Sequence, residues 1–317
     1  MRKPKSISRQ MRDEANKFFD ENVKHDLTRK QYKRDFKKFV QFCRERGVRS
    51  LADGKEIIQE YSNYLTATGI YSASSCHTFL APVCKFYGVN MRIINKRIRK
   101  VSEYTRGRIQ RNDKYRTYTD ANSPKWSEIV EFQKCVGARR AELGRIRGCD
   151  FKENEDGFFV RIVKGKGGKT SDYYVKPEDV KFVKSYFKNK RPNKLIFDHK
   201  LFKNDINLHK LRARHAEEMY FYYLNRVQNE LGYRDWLKRL VVKIWEQENI
   251  DKKTGKPKKY NKKDLEGLYH LRGSNREKAK RLGKNLTYDR LCMAAVSCLN
   301  LAHYRLNICP LYITLYE

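Results

Sequence analysis

The chain has 317 residues, of which 71 are Lys or Arg and 37 are Asp or Glu, so its formal net charge is +34. Hydrophobic residues make up 39% of it, including 21 tyrosines and 16 phenylalanines, which is enough for one large or two smaller packed domains and excludes disorder throughout. So high a charge opposes compaction, and a polyanion would relieve the repulsion. Nucleic acid is therefore the expected partner, with a ribosome-associated or membrane-surface protein as the alternative.

The N-terminal residues and the cysteines favour a cytoplasmic location. The start, MRKPKSISRQMRDE, is charged and leads into no apolar core, so we expect no secretory signal. No stretch reaches the roughly 18 apolar residues that a membrane span needs. The eight cysteines never form a Cys-x-x-Cys pair, and most lie in apolar runs. We expect reduced core cysteines and no metal site.

Residues 1–89 predict a helical DNA-binding bundle. In TRKQYKRDFKKFVQFCRERG, apolar residues recur at three- and four-residue steps, with Thr28 as a candidate N-cap and Gly47 as the stop. Three more amphipathic helices are expected in SRQMRDEANKFF, GKEIIQEYSNYLTATG and SASSCHTFLAPVCKFYGV. Four short helices with basic outer faces suit contact with a DNA duplex.

Residues 90–115 predict a basic linker, because Lys and Arg crowd this stretch and apolar periodicity fades. We expect it to lie along DNA phosphates, with a merely solvated connector as the alternative. Eight positions are expected to contact DNA, and two of them lie in the hairpin described next. They are Arg97, Arg99, Lys100, Arg106, Arg108, Lys164, Lys169 and Ile94, of which only Ile94 is not basic.

Residues 116–317 predict a second domain, so that the chain is mainly α with a small β-sheet. SPKWSEIVEFQKCVGARRAELGRIRG predicts two helices that break at Gly137, and FFVRIVKGKGGKTSDYYVK predicts a β-hairpin with a glycine-rich tip. PEDVKFVKSYFKNK, LHKLRARHAEEMYFYYLNRVQNEL and NLTYDRLCMAAVSCLNLAH predict helices. The lysine-rich residues at about 233–286 predict a basic insertion, an exposed and partly ordered excursion.

Several polar side chains stand at unusual places in this second domain. One arginine follows the glycine break, a lysine lies at the hairpin tip, and a histidine and an arginine three residues apart share a helix face. Another histidine ends the last helix nine residues before a tyrosine. The set comprises Arg139, Lys166, His209, Arg212, His303 and Tyr312, with Glu142 one turn after the first arginine.

In a protein that holds DNA, this set points to phosphoryl transfer. Two guanidinium groups can bind the non-bridging oxygens of a phosphodiester and neutralise the charge of its transition state. A tyrosine hydroxyl needs a base or a cationic pocket to attack, and a lysine can protonate the departing sugar oxygen. Attack by tyrosine conserves the bond energy in a covalent linkage, so neither ATP nor a metal nor another cofactor is implied.

Four motifs in chain order resemble those of the tyrosine recombinases, the phage integrase family. GARRAEL resembles the first arginine box, KGKGGK the hairpin lysine, and HKLR the His-x-x-Arg box. LAHYRLNICPLY resembles the closing Leu-Gly-His box with its nucleophile nine residues on. The N-terminal segment is similar to the family's core-binding domain, so the likeness spans most of the chain and implies a C-shaped clamp that acts as a homotetramer on two DNA sites, with accessory proteins possible.

The resemblance implies how the phosphate is bound. Arg139 and Arg212 would clamp the scissile phosphate, and His303 would form a hydrogen bond to it. Glu142 would support the pocket from behind by orienting Arg139 or a histidine.

The resemblance also implies which residues make and break bonds and which transfer protons. Tyr312 would attack and form the 3′-phosphotyrosine, and Lys166 would be the general acid toward the 5′ oxygen. His209 would assist as acid or base. Integration or excision of a mobile element is the implied role, ahead of chromosome-dimer resolution.

The sequence departs from the family pattern at four points. His215 follows the His-x-x-Arg box at a position where the usual pattern has no histidine, and we expect it to be structural. Ala302 replaces the glycine of the closing box, a change we expect to be tolerated. A long basic insertion separates Arg212 from His303. The five residues after Tyr312 are too few for the helix that docks on a neighbouring subunit, so the coupling of subunits stays open.

Two other classes of protein remain as alternatives. A type IB topoisomerase uses similar chemistry, but it usually has lysine where His209 stands. A DNA-binding protein that has lost catalysis would be expected to lack at least one member of the set.

Overall fold

The computed structural model describes residues 6–98, 126–165, 168–197, 208–251 and 253–314. The chain divides into two compact units, Met1–Tyr104 and Thr105–Glu317. It is mainly helical with small antiparallel sheets, which confirms the predicted fold class. In the part of the chain that is described, no helix combines the length and the apolar character that crossing a bilayer requires.

The first unit is built of five helices where four were predicted. Ile57 interrupts the third predicted helix and divides it in two. The second helix begins at Asp26 after His25, so the prediction of Thr28 as its N-cap is wrong. Gly47 follows that helix with a φ of +68°, as expected for a stop. The helices are α1 Ile7–Asn22, α2 Asp26–Glu45, α3 Leu51–Glu56, α4 Ile58–Ala67 and α5 Ala73–Phe86.

Aromatic rings fill the core of the first unit. Phe19 packs against Phe36 at 5.7 Å between ring centroids, and Phe39 packs against Tyr61 at 5.1 Å, both edge to face. Such edge-to-face contacts add to the stabilisation that burial of the rings supplies. The aromatic residues that were predicted to recur along α2 therefore lie on the side of the helix that faces this core.

The start of the predicted linker belongs to the same unit. Ile94 is buried in the core, so the prediction that position 94 contacts DNA is wrong, for the physical reason that an apolar side chain gains more from burial. Arg97 donates a hydrogen bond to the carbonyl oxygen of Tyr71 at 2.6 Å. The other predicted linker contacts lie outside the described residues: Arg99, Lys100, Arg106 and Arg108.

The second unit holds eight α-helices and five strands within the described residues. Strands β1, β2 and β3 form an antiparallel sheet in that order, and β4 pairs with β5. The predicted hairpin is confirmed as β2–β3, in which Ile162 pairs with Ser171, while β1 was not predicted. The elements are α6 Ser127–Val136, α7 Arg140–Leu143, β1 Phe151–Asn154, β2 Gly157–Ile162, β3 Ser171–Val175, α8 Pro177–Ser185, α9 Leu208–Asn229, α10 Tyr233–Glu248, β4 Leu268–His270, α11 Gly273–Arg281, β5 Thr287–Asp289, α12 Arg290–Ala295 and α13 Pro310–Ile313.

Helix α9 links the two apolar clusters of this unit. Its first turn contributes Leu208 and Leu211 to a cluster around α6 and the sheet. From Ala213 onward it packs into a second cluster with α10 and α12. The His-x-x-Arg motif therefore lies where the two clusters meet. The predicted closing helix is α12, which continues as a π-helical turn over Val296–Asn300.

The interpretation of residues 233–286 as an exposed excursion is wrong for α10 and its neighbours in the core, although most of residues 253–264 are exposed. Helix α10 buries Leu237, Leu240 and Val241, and Leu265 and Leu271 also lie in the cluster shared with α9. The apolar residues of α10 recur at helical spacing among many charges, and the charged composition concealed the pattern.

Six of the eight cysteines are buried and all eight are free thiols, as the sequence predicted for core residues. Cys149 is exposed and Cys135 is partly buried. Burial raises the pKa of Cys43 to about 12, so this thiol stays protonated and acts as a small apolar group.

Candidate active site

Tyr312 and His303 form a hydrogen-bonded pair. Tyr312 lies on α13, and its Oη is 3.2 Å from Nε2 of His303. The centroids of the two rings are 5.5 Å apart at an interplanar angle of 46°. The nine-residue spacing is spanned by a turn and a short 3₁₀ segment, Leu306–Ile308, which return the chain to the histidine.

A tight turn sets the position of His303. The residues on either side, Ala302 and Tyr304, have φ values of +45° and +54°, in the left-handed region. The carbonyl oxygen of Ser297 accepts the backbone N–H groups of both His303 and Tyr304, and its Oγ forms hydrogen bonds to both backbone polar groups of Arg305. Ala302 thus occupies a conformation that favours glycine, the residue of the motif it resembles.

Two arginines converge on one carbonyl oxygen, that of Leu301, at the end of the π-helical turn. Nη2 of Arg212 donates to it at 2.7 Å and Nη2 of Arg139 at 3.0 Å. Nη2 of Arg139 is also 3.4 Å from Nε2 of His303. Arg212 is fully buried, and its guanidinium carbon lies 5.9 Å from the centroid of the Tyr312 ring. The two cations, the imidazole and the phenol therefore share one site.

Arg212 is held by backbone carbonyls. Its Nη1 donates to the carbonyl oxygen of Gly137, the left-handed residue that ends α6. Its Nε finds no acceptor among the described residues. A buried cationic donor without a partner is costly.

A carboxylate and a phenol stand behind the arginines. Glu142 accepts hydrogen bonds from the backbone N–H of Arg139 at 2.8 Å and from its Nη1 at 2.7 Å. Burial opposes ionisation of Glu142, but Arg139 and Arg212 together outweigh burial and hold its pKa below the ordinary value. Its negative charge is therefore retained inside the unit.

Tyr173, which the motif analysis did not single out, joins these groups. Its hydroxyl donates to Glu142 at 3.1 Å and accepts from Nη1 of Arg139 at 3.2 Å and from Nη1 of Arg212 at 3.4 Å. Burial raises the pKa of Tyr173, so the phenol remains a donor. Its only sequence signal was its place in a β-strand, where an inward tyrosine normally indicates core.

His209 and the hairpin lie at the edges of the site. His209 is exposed at the start of α9, and its ring meets the Tyr312 ring edge to face at 5.5 Å. Lys166 falls outside the described residues. Gly165, which precedes Lys166 in the chain, lies close to Glu142: an added Cβ would be 3.1 Å from Oε1 of that carboxylate.

The other hairpin lysines are exposed at the surface. Lys164 has a φ of +51°, and its carbonyl oxygen accepts a hydrogen bond from Arg145. Nζ of Lys169 donates to the carbonyl oxygen of Glu248 at 3.4 Å. Both ammonium groups remain accessible to a ligand.

His215, the second histidine of α9, is a structural residue. It is buried, its Nδ1 donates to the carbonyl oxygen of Lys134 at 2.6 Å, and its Nε2 accepts from Nδ2 of Asn300 at 3.4 Å. Oδ1 of Asn300 accepts the hydroxyl of Tyr223 at 3.0 Å. This network ties α6 and α9 to the π-helical turn that presents the carbonyl oxygen between the arginines.

The chemistry of the site suits an anionic ligand. It combines two guanidinium groups, two imidazoles and a phenol, with one buried carboxylate compensating part of the charge. Across the described ranges, no group of three or more His, Cys, Asp or Glu side chains is placed to hold a metal ion. Tyr312 is only 6% exposed, so most of its side chain is enclosed.

Comparison with known proteins gives little beyond this geometry. No protein-family model matches the chain, and no curated protein matches it. A crystal structure of XerA recombinase is similar over 71% of this chain and 87% of that chain, with 17% sequence identity and a TM-score of 0.24. A TM-score this low does not establish a shared fold.

Proposed function

We propose that this protein is a site-specific DNA recombinase that cleaves and rejoins strands through a 3′-phosphotyrosine intermediate. One observation carries the proposal: Oη of Tyr312 lies 3.2 Å from His303 in a site where Arg139 and Arg212 donate to the same oxygen atom. Residues from distant parts of the sequence meet in the combination that tyrosine attack on a phosphodiester requires.

The two arginines bind the scissile phosphate in this proposal. The carbonyl oxygen of Leu301 already lies where both guanidinium groups can reach one acceptor, and a phosphate oxygen is a stronger acceptor because it is charged. The unpartnered Nε of Arg212 supplies a further donor on the edge next to Nη2. Glu142 and Tyr173 keep the guanidinium groups in place, so little reorganisation is needed when the phosphate arrives.

The chemical step is an in-line displacement at phosphorus. Oη of Tyr312 forms the new O–P bond as the bond from phosphorus to the 5′ oxygen breaks, and the phenol proton passes to His209 or to water. Lys166 protonates the departing 5′ oxygen, and His303 donates a hydrogen bond to the phosphate. Rejoining is the reverse reaction with a 5′ hydroxyl as nucleophile, so no cofactor is consumed.

Burial of Tyr312 adds a condition to this scheme. Because the hydroxyl forms a hydrogen bond with His303 and the side chain is nearly enclosed, we expect that the free protein does not attack. DNA has to displace the contact, and α13 is short enough, at four residues, to move without unfolding a long helix. Cleavage is thereby limited to the DNA-bound protein.

The remaining features of the proposal follow from the resemblance and from charge. Residues 1–89 form the core DNA-binding domain, 90–115 the basic linker and 116–317 the catalytic domain. Four protomers on two duplex sites exchange strands in the cytoplasm, with accessory proteins assisting, to integrate or excise a mobile element.

Covalent trapping on nicked DNA tests the proposal. Duplexes taken from the flanks of the element that encodes the protein, nicked near the expected cleavage point, are incubated with protein and resolved on a denaturing gel. Wild-type protein and the Tyr304→Phe control give a shifted protein–DNA band, and Tyr312→Phe gives none. If the wild-type protein gave no shifted band, the result would support the alternative of an inactive DNA-binding protein.

A second assay separates recombinase from topoisomerase. A supercoiled plasmid that lacks the element's flanking sequences is incubated with wild-type protein. A recombinase leaves it supercoiled, whereas efficient relaxation of this plasmid would favour a type IB topoisomerase.

A further inference from the structure

Residues 249–251 and 253–263, here called the lysine turn, lie between α10 and β4. Oδ1 of Asp251 accepts the backbone N–H groups of Lys253 at 2.8 Å and Thr254 at 3.0 Å. The backbone N–H of Lys258 donates to the carbonyl oxygen of Asn249 at 2.9 Å, next to a β-bridge between residues 250 and 257. Two short arms are thus closed by a turn that an aspartate caps.

The lysine turn concentrates positive charge on its surface. Six of its lysines are exposed, and none forms an ion pair with a carboxylate of the described residues. The six are Lys253, Lys256, Lys258, Lys259, Lys262 and Lys263. Two lysines of α10, the helix before the turn, are paired: Lys238 with Glu266 at 2.9 Å and Lys243 with Asp156 at 2.6 Å. Like charges held close together repel each other and lower the stability of the fold. An anionic ligand would relieve this repulsion.

Aromatic contacts fix the lysine turn to the candidate active site. Nε1 of Trp245 donates to the carbonyl oxygen of Tyr304, the neighbour of His303, at 3.2 Å. The Trp245 ring packs edge to face on Tyr260 inside the turn, at 4.8 Å between centroids. These contacts lock one end of the turn to the backbone that positions His303.

The hairpin contacts the same place from the other side. Lys169 donates to the carbonyl oxygen of Glu248, the last residue of α10, and its Nζ lies 5.2 Å from the centroid of the Tyr304 ring. The hydroxyl of Tyr304 donates to Oγ of Ser171 at 2.9 Å. The lysine turn therefore begins directly beside the hairpin lysines.

We infer that the lysine turn binds the sugar–phosphate backbone of duplex DNA beside the scissile phosphate and extends the surface formed by the hairpin lysines. This inference rests on the proposed function for the identity of the polyanion. Flexible ammonium groups on an ordered turn suit contact with successive phosphates and carry no base-specific information. The segment would add affinity and hold the duplex against the site without selecting its sequence.

The test compares two variants of equal charge in full-length Tyr312→Phe protein, which cannot cleave. The test variant carries Lys→Gln at Lys253, Lys256, Lys258 and Lys259. The control variant carries Lys→Gln at Lys181, Lys188, Lys190 and Lys194, four other exposed lysines of the same unit. Binding of a fluorescent random-sequence duplex is measured by anisotropy over a series of NaCl concentrations.

Each lost phosphate contact lowers the slope of log affinity against log salt by about 0.9. The test variant is therefore expected to lose about 3 to 4 from the slope and at least tenfold in affinity, and the control less than half of either. Equal losses in the two variants, or an unchanged slope in the test variant, would overturn the inference.

Two further arms separate the possible failures. Vesicles of phosphatidylserine and phosphatidylcholine replace the duplex in one arm; a binding defect of the test variant on vesicles without one on DNA would assign the turn to a membrane surface and overturn the inference. Covalent trapping with Tyr312 restored reports on the proposed function alone. A trapped band together with an unchanged salt slope would contradict only the inference about the lysine turn. A changed slope without a trapped band would contradict only the proposed recombinase activity.

Discussion

Tyr173 is the residue that best shows how the site is held together. A phenol that donates to a carboxylate and accepts from two guanidinium groups fixes three charged side chains at once. In a buried place, each of those hydrogen bonds is strong and each unmade one is costly. Tyr173 touches no substrate in the proposed mechanism, so it acts as a positioning residue.

Removing only its hydroxyl tests that role. Tyr173→Phe keeps the ring and leaves Glu142 and both arginines short of a partner. We expect the rate of covalent complex formation to fall about 10- to 100-fold, equivalent to about 1.4–2.8 kcal/mol, and the free energy of unfolding to fall by about 1–3 kcal/mol. DNA affinity should change less than threefold, because the phosphate contacts on the surface remain. An unchanged cleavage rate in a destabilised protein would reduce Tyr173 to a core residue.

His215 gives the molecule a defined acid sensitivity. Burial lowers its pKa to about 4 from an ordinary value of 6.5, although the hydrogen bond to Lys134 opposes the shift. In the unfolded chain the imidazole takes up a proton as the pH falls below 6.5, whereas in the folded protein it stays neutral down to about 4. The contribution to stability is therefore complete above pH 6.5 and is lost as the pH falls toward 4.

Urea unfolding followed from pH 7 to pH 5, with NMR of the ring, measures this effect. We expect this one group to lower the free energy of unfolding by about 1.4 kcal/mol for each pH unit below 6.5. The ring signals of His215 should keep the neutral Nδ1–H form at pH 5 in the folded protein. Signals that titrate near pH 6.5 would show that the ring is not enclosed as described.

At the scale of elements, the break between α6 and α7 determines the geometry of the site. Gly137 ends α6 at a φ of +64°, which releases its carbonyl oxygen to Arg212 and turns the chain so that Arg139 precedes α7. It also lies against the His215 ring, where an added Cβ would be 2.2 Å from Cδ2. Both the backbone conformation and the space available require glycine here.

Gly137→Ala should therefore be more damaging than an ordinary substitution of a left-handed glycine. The matched control is Gly232→Ala, because Gly232 has a φ of +75° and nothing within 4 Å of an added Cβ. We expect the control to lose about 1–2 kcal/mol of unfolding free energy and Gly137→Ala to lose about 1–3 kcal/mol more. Thermal and urea unfolding measure both; equal losses would mean that the His215 contact imposes no cost.

Prediction from sequence succeeded for elements where local patterns agree with the fold. The hairpin, the long helix α9 and the break at Gly137 follow from periodicity and turn residues. It failed where tertiary contacts decide: β1 pairs only because β2 is beside it, and α10 is buried although its composition is highly charged. Ile94 was assigned to DNA contact with its basic neighbours, although its apolar side chain lies in the core.

At the scale of the whole molecule, the side chains of the candidate site were easier to predict than its supports. Motif order named Arg139, Arg212, His303 and Tyr312, which the structure brings into one network. The backbone carbonyl of Leu301 and the turn held by Ser297 have no signature in a sequence, because any residue supplies a carbonyl group. Their roles appear only when distant segments are packed together.

The two units differ in their contents, although both carry positive charge. The first is an aromatic-cored helical bundle, and the second contains all the described members of the candidate site. The net charge of +34 is carried by both and suits a long polyanion better than a small ligand. In the proposed function, this arrangement serves the attachment of a DNA strand to a tyrosine.

The most direct measurement identifies the atom to which DNA becomes attached. The trapped protein–DNA complex is digested with trypsin and nuclease, and the peptide that carries the residual nucleotide is sequenced by mass spectrometry. The account predicts the peptide that follows Arg305, with the phosphate on Tyr312 and not on Tyr316. A nucleotide on any other residue, or no nucleotide-bearing peptide from an active preparation, would contradict it.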